Sequence, residues 1–94
     1  MRAGLLTVTL HLPGVRSLKE KRSIVKPLIA QITALGPAIG VAEVADHDEL
    51  DRVTLRIVHV SNDVRRSESV LGKIEGRLAR GPRFALEESE REIL

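Results

Sequence analysis

The stretch Leu12–Leu28, LPGVRSLKEKRSIVKPL, takes the chain from a β-strand through a Pro-Gly turn into an α-helix. Proline cannot continue a central strand ladder and glycine supplies the turn, so the strand ends at Pro13. Ser17 with Glu20 three residues later is a capping-box signature and marks the start of the helix. This stretch therefore predicts a strand-helix unit near the beginning of the chain.

The segments on both sides of the turn have the periodicities of these two elements. Apolar residues alternate with polar ones before the turn, as in a strand with one buried face. They are Leu6, Val8, Leu10 and Leu12. After the turn, apolar residues recur at helical spacing and form one stripe. They are Leu18, Val25, Leu28, Ile29, Ile32 and Leu35. Pro27 inside this pattern predicts a bend, or a split near Ser23.

Two further strands and a second helix follow. Residues 39–45 and 52–60 read as strands, and the acidic residues 46–51 between them read as a hairpin loop. Residues 61–63 supply helix caps, and apolar residues then recur at helical spacing. They are Val64, Val70, Leu71, Ile74 and Leu78. Gly72 and Gly76 weaken this helix and predict close approach to a neighbouring element.

The tail after Phe84 fits either a strand or a helix. With a final strand, the order becomes strand, helix, strand, strand, helix, strand, which is the ferredoxin-like βαββαβ pattern. We therefore predict an α+β fold with a four-stranded antiparallel sheet and both helices on one face. The 94 residues form one domain of this type, residues 1–94.

Charge is segregated along the chain although its net value is only +2. Residues 13–27 carry five cations and one acid, and residues 64–83 carry six cations and two acids. Residues 43–51 carry five acids and no cation. Both basic segments coincide with predicted helices, so helices on one side of a sheet would form a basic surface that attracts polyanions. Two ordinary solvated helix faces are the alternative.

Composition narrows the classes of function. The chain has no cysteine, no apolar run of transmembrane length and no apolar core of a signal peptide, so a cytoplasmic protein that makes no membrane contact is expected. Phe84 is the single aromatic residue. Proteins that bind single-stranded RNA usually stack bases on several exposed aromatic rings, so that mode is excluded. Any nucleic-acid contact would rest on phosphates and groove shape.

Four ordered motifs resemble the DUF503 (YlxP-like) family of small bacterial proteins. They are His11–Gly14, Ser17–Arg22, Val41–Val44 and Val60–Asp63. The resemblance spans nearly the whole chain and implies a ferredoxin-like fold whose fourth strand begins at about Phe84. Members of the family have no established biochemical activity. Their genes often lie near genes for translation initiation and ribosome maturation, which implies a ribosome-associated or RNA-binding role.

The basic start of the first helix is the candidate site for an anion or RNA. A helix N-terminus already carries partial positive charge, so cations there oppose folding unless they serve a function. The candidate residues are Arg16, Lys19, Lys21, Arg22 and Lys26. Lys21 lies nearer the apolar stripe than the others and would have to extend its ammonium to solvent. Alternatively, some of these cations pair with the acidic loop or with carboxylates of the tail.

The sequence offers little for catalysis. The three histidines, His11, His47 and His59, lack a local metal-ligand spacing, although His11 and His59 would share a face if the first and third strands are neighbours. Helix capping accounts for residues 61–63 without a nucleophile, and a solvated hairpin tip accounts for the acidic loop. We therefore predict no catalytic residue, no metal and no cofactor.

Two classes of function remain. The favoured one is a non-enzymatic domain that binds structured RNA or the ribosome through its basic helix face. The alternative is a homodimeric protein-interaction module that uses the open face of the sheet, because an exposed apolar face is otherwise a liability. RNA binding predicts strong salt dependence, whereas dimerisation predicts sensitivity at Thr7 and Thr9.

Overall fold

A computed structural model describes all residues from Met1 to Leu94. The elements are β1 (Arg2–His11), α1 (Leu18–Thr33), β2 (Ile39–Ala45), β3 (Arg52–Ser61), α2 (Val64–Leu78) and β4 (Ala85–Ile93). The strands form one sheet in the order β2-β3-β1-β4, and every neighbouring pair is antiparallel. Both helices pack on the same face, so the predicted ferredoxin-like arrangement is confirmed, and the tail is a strand.

One core of 16 buried residues lies between the sheet and the helices. β1 alternates as its sequence predicts: Leu6, Val8 and Leu10 are fully buried because they point toward the helices. The predicted stripe on α1 is wrong at its two ends. Leu18, the first residue of α1, and Leu35, two residues after its end, are 46% and 44% exposed.

The first helix is continuous through Pro27, so the split predicted near Ser23 does not form. Buried side chains on both sides of the proline, Ile24 and Leu28, hold the two halves of α1 against the same core. This packing outweighs the one backbone hydrogen bond that proline removes.

The start of α1 is capped nearly as predicted. Ser17 Oγ accepts a hydrogen bond from the backbone N–H of Glu20 at 3.1 Å. The Glu20 carboxylate in turn accepts from the backbone N–H of Arg16 at 3.4 Å, one residue before the expected partner. The cap therefore fixes the loop that carries Arg16.

A close approach of a helix to the sheet occurs at Gly4, a glycine that the sequence did not single out. A Cβ on Gly4 would lie 2.8 Å from Leu71 Cδ1 and 3.1 Å from Ser67 Cβ, so α2 sits directly on β1 here. The prediction for α2 itself is wrong at Gly76, where nothing lies within 4 Å of such a Cβ. At Gly72 the nearest group is the Arg91 guanidinium, 3.7 Å away, which is an ordinary contact.

An ionic contact fastens β4 to α2. Arg91 Nη2 lies 2.5 Å from Glu75 Oε1, and Ser89 Oγ donates to the other carboxylate oxygen. The pKa of Glu75 lies below its ordinary value of 4.5, mainly because Ser89 donates a hydrogen bond to the carboxylate. The hydrogen bond and the charge of Arg91 lower this pKa further, whereas partial burial raises it.

This contact predicts a pH-dependent contribution to stability. Because folding lowers the pKa of Glu75, its stabilisation is complete above pH 4.5 and is lost as pH falls through the folded-state pKa. We expect Glu75→Gln to be about 1 kcal/mol less stable than the wild type at pH 7 and equally stable at strongly acidic pH. Urea unfolding across this pH range measures the difference, and a difference that does not change with pH would contradict the prediction.

Candidate nucleic-acid interface

The fold brings the basic start of α1 and the basic end of α2 to the same end of the molecule. α1 begins just after β1 ends, and α2 leads into β4, whose first residue, Ala85, pairs with His11 at the end of β1. The start of α1 and the end of α2 therefore lie side by side. We call the outward surfaces of α1, α2 and their flanking turns the helical layer.

Four of the five predicted anion-binding residues are exposed on this layer. They are Arg16, Lys19, Arg22 and Lys26. None of them forms an ion pair: the cationic members of the four ion pairs in the structure are His11, Lys21, Arg52 and Arg91. The alternative in which these four neutralise the acidic loop or the tail is therefore not observed. Their charges stay available to a ligand.

The prediction that Lys21 belongs to the anion-binding site is wrong. Its side chain is buried, with 3% of the residue exposed. The ammonium does not reach solvent, because Nζ donates to the backbone carbonyls of Asp46 and Glu49, both at 2.7 Å. Glu43 Oε1 lies 3.9 Å from the same nitrogen. Lys21 therefore ties the β2-β3 hairpin to α1 and cannot contact an external phosphate.

Acidic residues lie beside one edge of the predicted site. Arg22 and Lys26 line a depression between α1 and the hairpin together with Glu43 and Asp48. These carboxylates reduce the attraction of that flank for an anion. Arg16 and Lys19 do not line this depression.

A groove between the helices is the more uniformly basic site. α1 lies against β2 and α2 lies against β1 and β3, so the two helices make little contact with each other. The groove has a volume of about 400 Å³, and no acidic residue lines it. Its cations are Arg77, Arg80 and Arg83, and we call it the arginine groove. The α1 wall contributes Ser23, Pro27 and Gln31.

The sequence contained the charges of this groove but not their arrangement. Residues 64–83 are visibly basic, yet helical periodicity alone does not show which flank of α2 faces α1. The turn after α2 brings Arg83 back to the helical layer beside Arg77 and Arg80. That return depends on where β4 pairs with β1, a long-range contact that local pattern cannot supply.

The acidic residues of the tail lie on the opposite side of the sheet. Glu88, Glu90 and Glu92 pair with Thr9, Thr7 and Leu5 of β1, whose side chains point away from the helices. Glu87 also lies on this face, where it is 3.6 Å from His11 Nδ1 and 3.8 Å from Arg52 Nε. The sheet thus separates an acidic row from the basic helical layer.

The histidines do not form a metal centre. β1 and β3 are neighbours as predicted, but His11 lies on the open face and His59 lies on the helix face, so they do not share a face. His59 is buried, and its Nδ1 is hydrogen-bonded to Ser67 Oγ at 2.8 Å. No three His, Asp or Glu side chains converge into a group that could hold a metal ion.

Residues 61–63 do cap α2. Asp63 Oδ1 accepts from the backbone N–H of Arg65 at 3.0 Å, and Ser61 Oγ accepts from the backbone N–H of Asp63 at 2.9 Å. These hydrogen bonds account for the serine hydroxyl and the aspartate as structural groups at the helix start.

The sequence profile of one protein family, described as "Protein of unknown function (DUF503)", matches residues 3–91. The chain belongs to the DUF503 family. No curated protein sequence matches this DUF503 chain. No helix in it is both long and apolar enough to cross a membrane.

Solved structures similar to this DUF503 chain confirm its fold. A de novo designed protein with a ferredoxin fold has a TM-score of 0.56 at 19% identity, over 99% of this chain and 85% of its own. A putative antibiotic biosynthesis monooxygenase from Chloroflexus aurantiacus has a TM-score of 0.58 at 17% identity, over 100% and 93%. SnoaB, a cofactor-independent oxygenase from Streptomyces nogalater, has a TM-score of 0.50 at 14% identity, over 98% and 90%. At these identities the likeness concerns the fold alone.

Proposed function

We propose that this DUF503 protein binds structured RNA, on or near the ribosome in the cytoplasm, through its helical layer and without catalysing a reaction. The observation that supports the proposal is the set of exposed cations on this layer that form no ion pair. They are Arg16, Lys19, Arg22, Lys26, Arg65, Arg66, Lys73, Arg77, Arg80 and Arg83.

The arrangement of charge suits a phosphate backbone. When exposed cations of a protein contact phosphates, the counterions that surround the nucleic acid are released into solution, and this release favours binding. The acidic row of β4 faces the other way and does not compete for these cations. Double-stranded or folded RNA is recognised largely by shape and by contacts to phosphates and 2′-hydroxyls, which fits a surface with one aromatic ring.

Neutralising α1 cations should weaken RNA binding. For the variant K19Q/R22Q/K26Q we expect an affinity for a structured RNA about tenfold lower, and a plot of log K against log salt that is shallower by about two. Fluorescence anisotropy of a labelled RNA hairpin across a salt series measures both quantities.

A matched control removes the same charge from elsewhere. R2Q/R52Q/R56Q takes three cations from the strands: Arg52 and Arg56 lie on the open face of the sheet, and Arg2 lies at the start of β1, outside both helices and their flanking turns. It should keep most of the wild-type affinity. If both triple variants bind alike, the binding follows net charge and the helical layer is not the interface.

Homodimerisation through the open sheet face is a second candidate function, supported by the charges on that face. Across the sheet, Glu90 on β4, Thr7 on β1 and Arg56 on β3 lie in one row, with the acid at one side and the cation at the other. Two copies can face each other through this surface if they are related by a twofold axis parallel to the strands. The acidic row of each copy then lies opposite the arginines of the other. The face is therefore self-complementary.

A bulky charge at the centre of this face should keep the protein monomeric. Thr7→Arg places its guanidinium between Glu90 and Arg56 and removes the hydroxyl that accepts from Arg56 Nε; the Glu90 carboxylate offsets the repulsion from Arg56 in the monomer, but the side chain blocks a second copy. We expect a dimer for the wild type and a monomer for the variant in light scattering after size exclusion. Thr33→Arg on the exposed side of α1 should remain dimeric. A wild-type protein that is monomeric at every concentration would contradict the proposal.

A further inference from the structure

The single aromatic residue of the chain lies in the arginine groove. Phe84 lines it together with Arg77, Arg80 and Arg83. Its ring is partly buried and packs against the edge of the core. One side of the ring rests on Gly81, since a Cβ at that position would overlap the ring atoms. The absence of a side chain at Gly81 therefore leaves room for the ring at this place beside the three arginines.

Helix electrostatics explain only part of this cluster. Arg77 lies in the last turn of α2 and Arg80 lies just beyond it, where cations complement the negative end of the helix dipole. Arg83 follows the Gly81-Pro82 turn and lies outside the helix, so the dipole gives no reason for its position. All three arginines line the groove, and no acidic residue does.

Guanidinium groups and an aromatic ring are together suited to the two parts of a nucleotide, its phosphate and its base. Arginine donates in a fork geometry that matches phosphate oxygens, and a nucleobase stacks on an aromatic face. The groove volume of about 400 Å³ falls within the range of small-ligand sites. A ring that stands alone cannot form a platform for several bases, but it is sufficient for one.

We propose that the arginine groove binds one unpaired nucleotide of a structured RNA, with its phosphate between the arginines and its base against Phe84. This inference rests on the proposed RNA-binding function and adds to it a preference for RNA that carries a bulged or terminal unpaired nucleotide.

Two RNA hairpins that differ by one bulged nucleotide test the proposal by anisotropy at a fixed salt concentration. The wild type should bind the bulged hairpin about tenfold more tightly than the fully paired one. Phe84→Leu removes the aromatic face, and Gly81→Ala keeps the ring but displaces it. Both variants should bind the two hairpins equally, with the affinity of the wild type for the paired hairpin.

Gly76→Ala is the matched control for Gly81→Ala. It makes the same change on α2, at a position where a Cβ meets nothing within 4 Å, and it should keep the preference for the bulged hairpin. Circular dichroism establishes that each variant is folded before binding is measured. Equal binding of both hairpins by the folded wild type would overturn this inference and leave the proposed function standing.

Two further outcomes separate the inference from the proposed function. If neither hairpin binds, the proposed function fails, and this inference fails with it. If free AMP displaces the bulged hairpin at concentrations as low as those of the hairpin itself, the groove is a site for a free mononucleotide, and its assignment to RNA is overturned.

Discussion

Lys21→Met is expected to lower the free energy of unfolding by about 3 kcal/mol. The ammonium of Lys21 donates to the carbonyls of Asp46 and Glu49 from a buried position, and it lies near the Glu43 carboxylate. Methionine matches the length of the lysine stem, but it leaves the Glu49 carbonyl without a donor and the Asp46 carbonyl with only the backbone N–H of Glu49. Asp46 has a φ of 65°, so the loop also loses the contact that holds a residue in the left-handed region.

Urea unfolding followed by circular dichroism measures this loss. Lys26→Met on the exposed side of the same helix is the control, and it should change stability by no more than about 0.5 kcal/mol. Folded Lys21→Met protein should bind RNA as the wild type does, because Lys21 is not on the surface. A Lys21→Met protein as stable as the wild type, or one that is folded but defective in RNA binding, would return Lys21 to the candidate site.

Leu71→Ala is expected to lower the free energy of unfolding by about 3 kcal/mol, because Leu71 is fully buried and its loss leaves a cavity between α2 and β1. Gly4→Ala alone should cost about 1–2 kcal/mol, since its new Cβ would lie 2.8 Å from Leu71 Cδ1. In the double variant the added methyl occupies part of the space that leucine vacates.

The two substitutions should therefore not be additive. We expect the double variant to be more stable than the sum of the single effects predicts, by about 1 kcal/mol, as measured by urea unfolding of all four proteins. Leu55→Ala removes another fully buried leucine and serves as the control, because Leu55 pairs with Val8 and Glu43, whereas Gly4 pairs with His59 and Ile93. Additive effects of Gly4→Ala and Leu71→Ala would contradict the contact between α2 and β1.

Much of the fold could be predicted because its elements are encoded locally. The alternation from Leu6 to Leu12, the Pro13-Gly14 turn and the cap at Ser17 each depend on residues a few positions apart. Local pattern left the tail undecided between strand and helix, because its glutamates fit either. Pairing with β1 settles this, since β4 becomes an edge strand whose glutamates face outward.

The candidate site was harder to predict because it depends on burial. Lys21 and Arg22 are adjacent cations in the same helix turn, yet one is buried against the hairpin and the other is exposed. A rotation of 100° per residue separates them, and the sequence places Lys21 nearer the apolar side. The sequence does not show that two backbone carbonyls accept hydrogen bonds from the ammonium, because these carbonyls belong to a loop 25 and 28 residues away along the chain.

The sequence by itself determined the order of the first five elements, the family and the segregation of charge into basic helices and an acidic loop. The order of the elements and the charge pattern follow from periodicity, turn residues and composition, which act over short distances along the chain, whereas the family follows from the resemblance of four motifs and the match over residues 3–91. Only the tertiary structure decided which cations are free, and that Phe84 lies among three arginines. Those relations arise where distant segments pack against one another, and no local pattern specifies them.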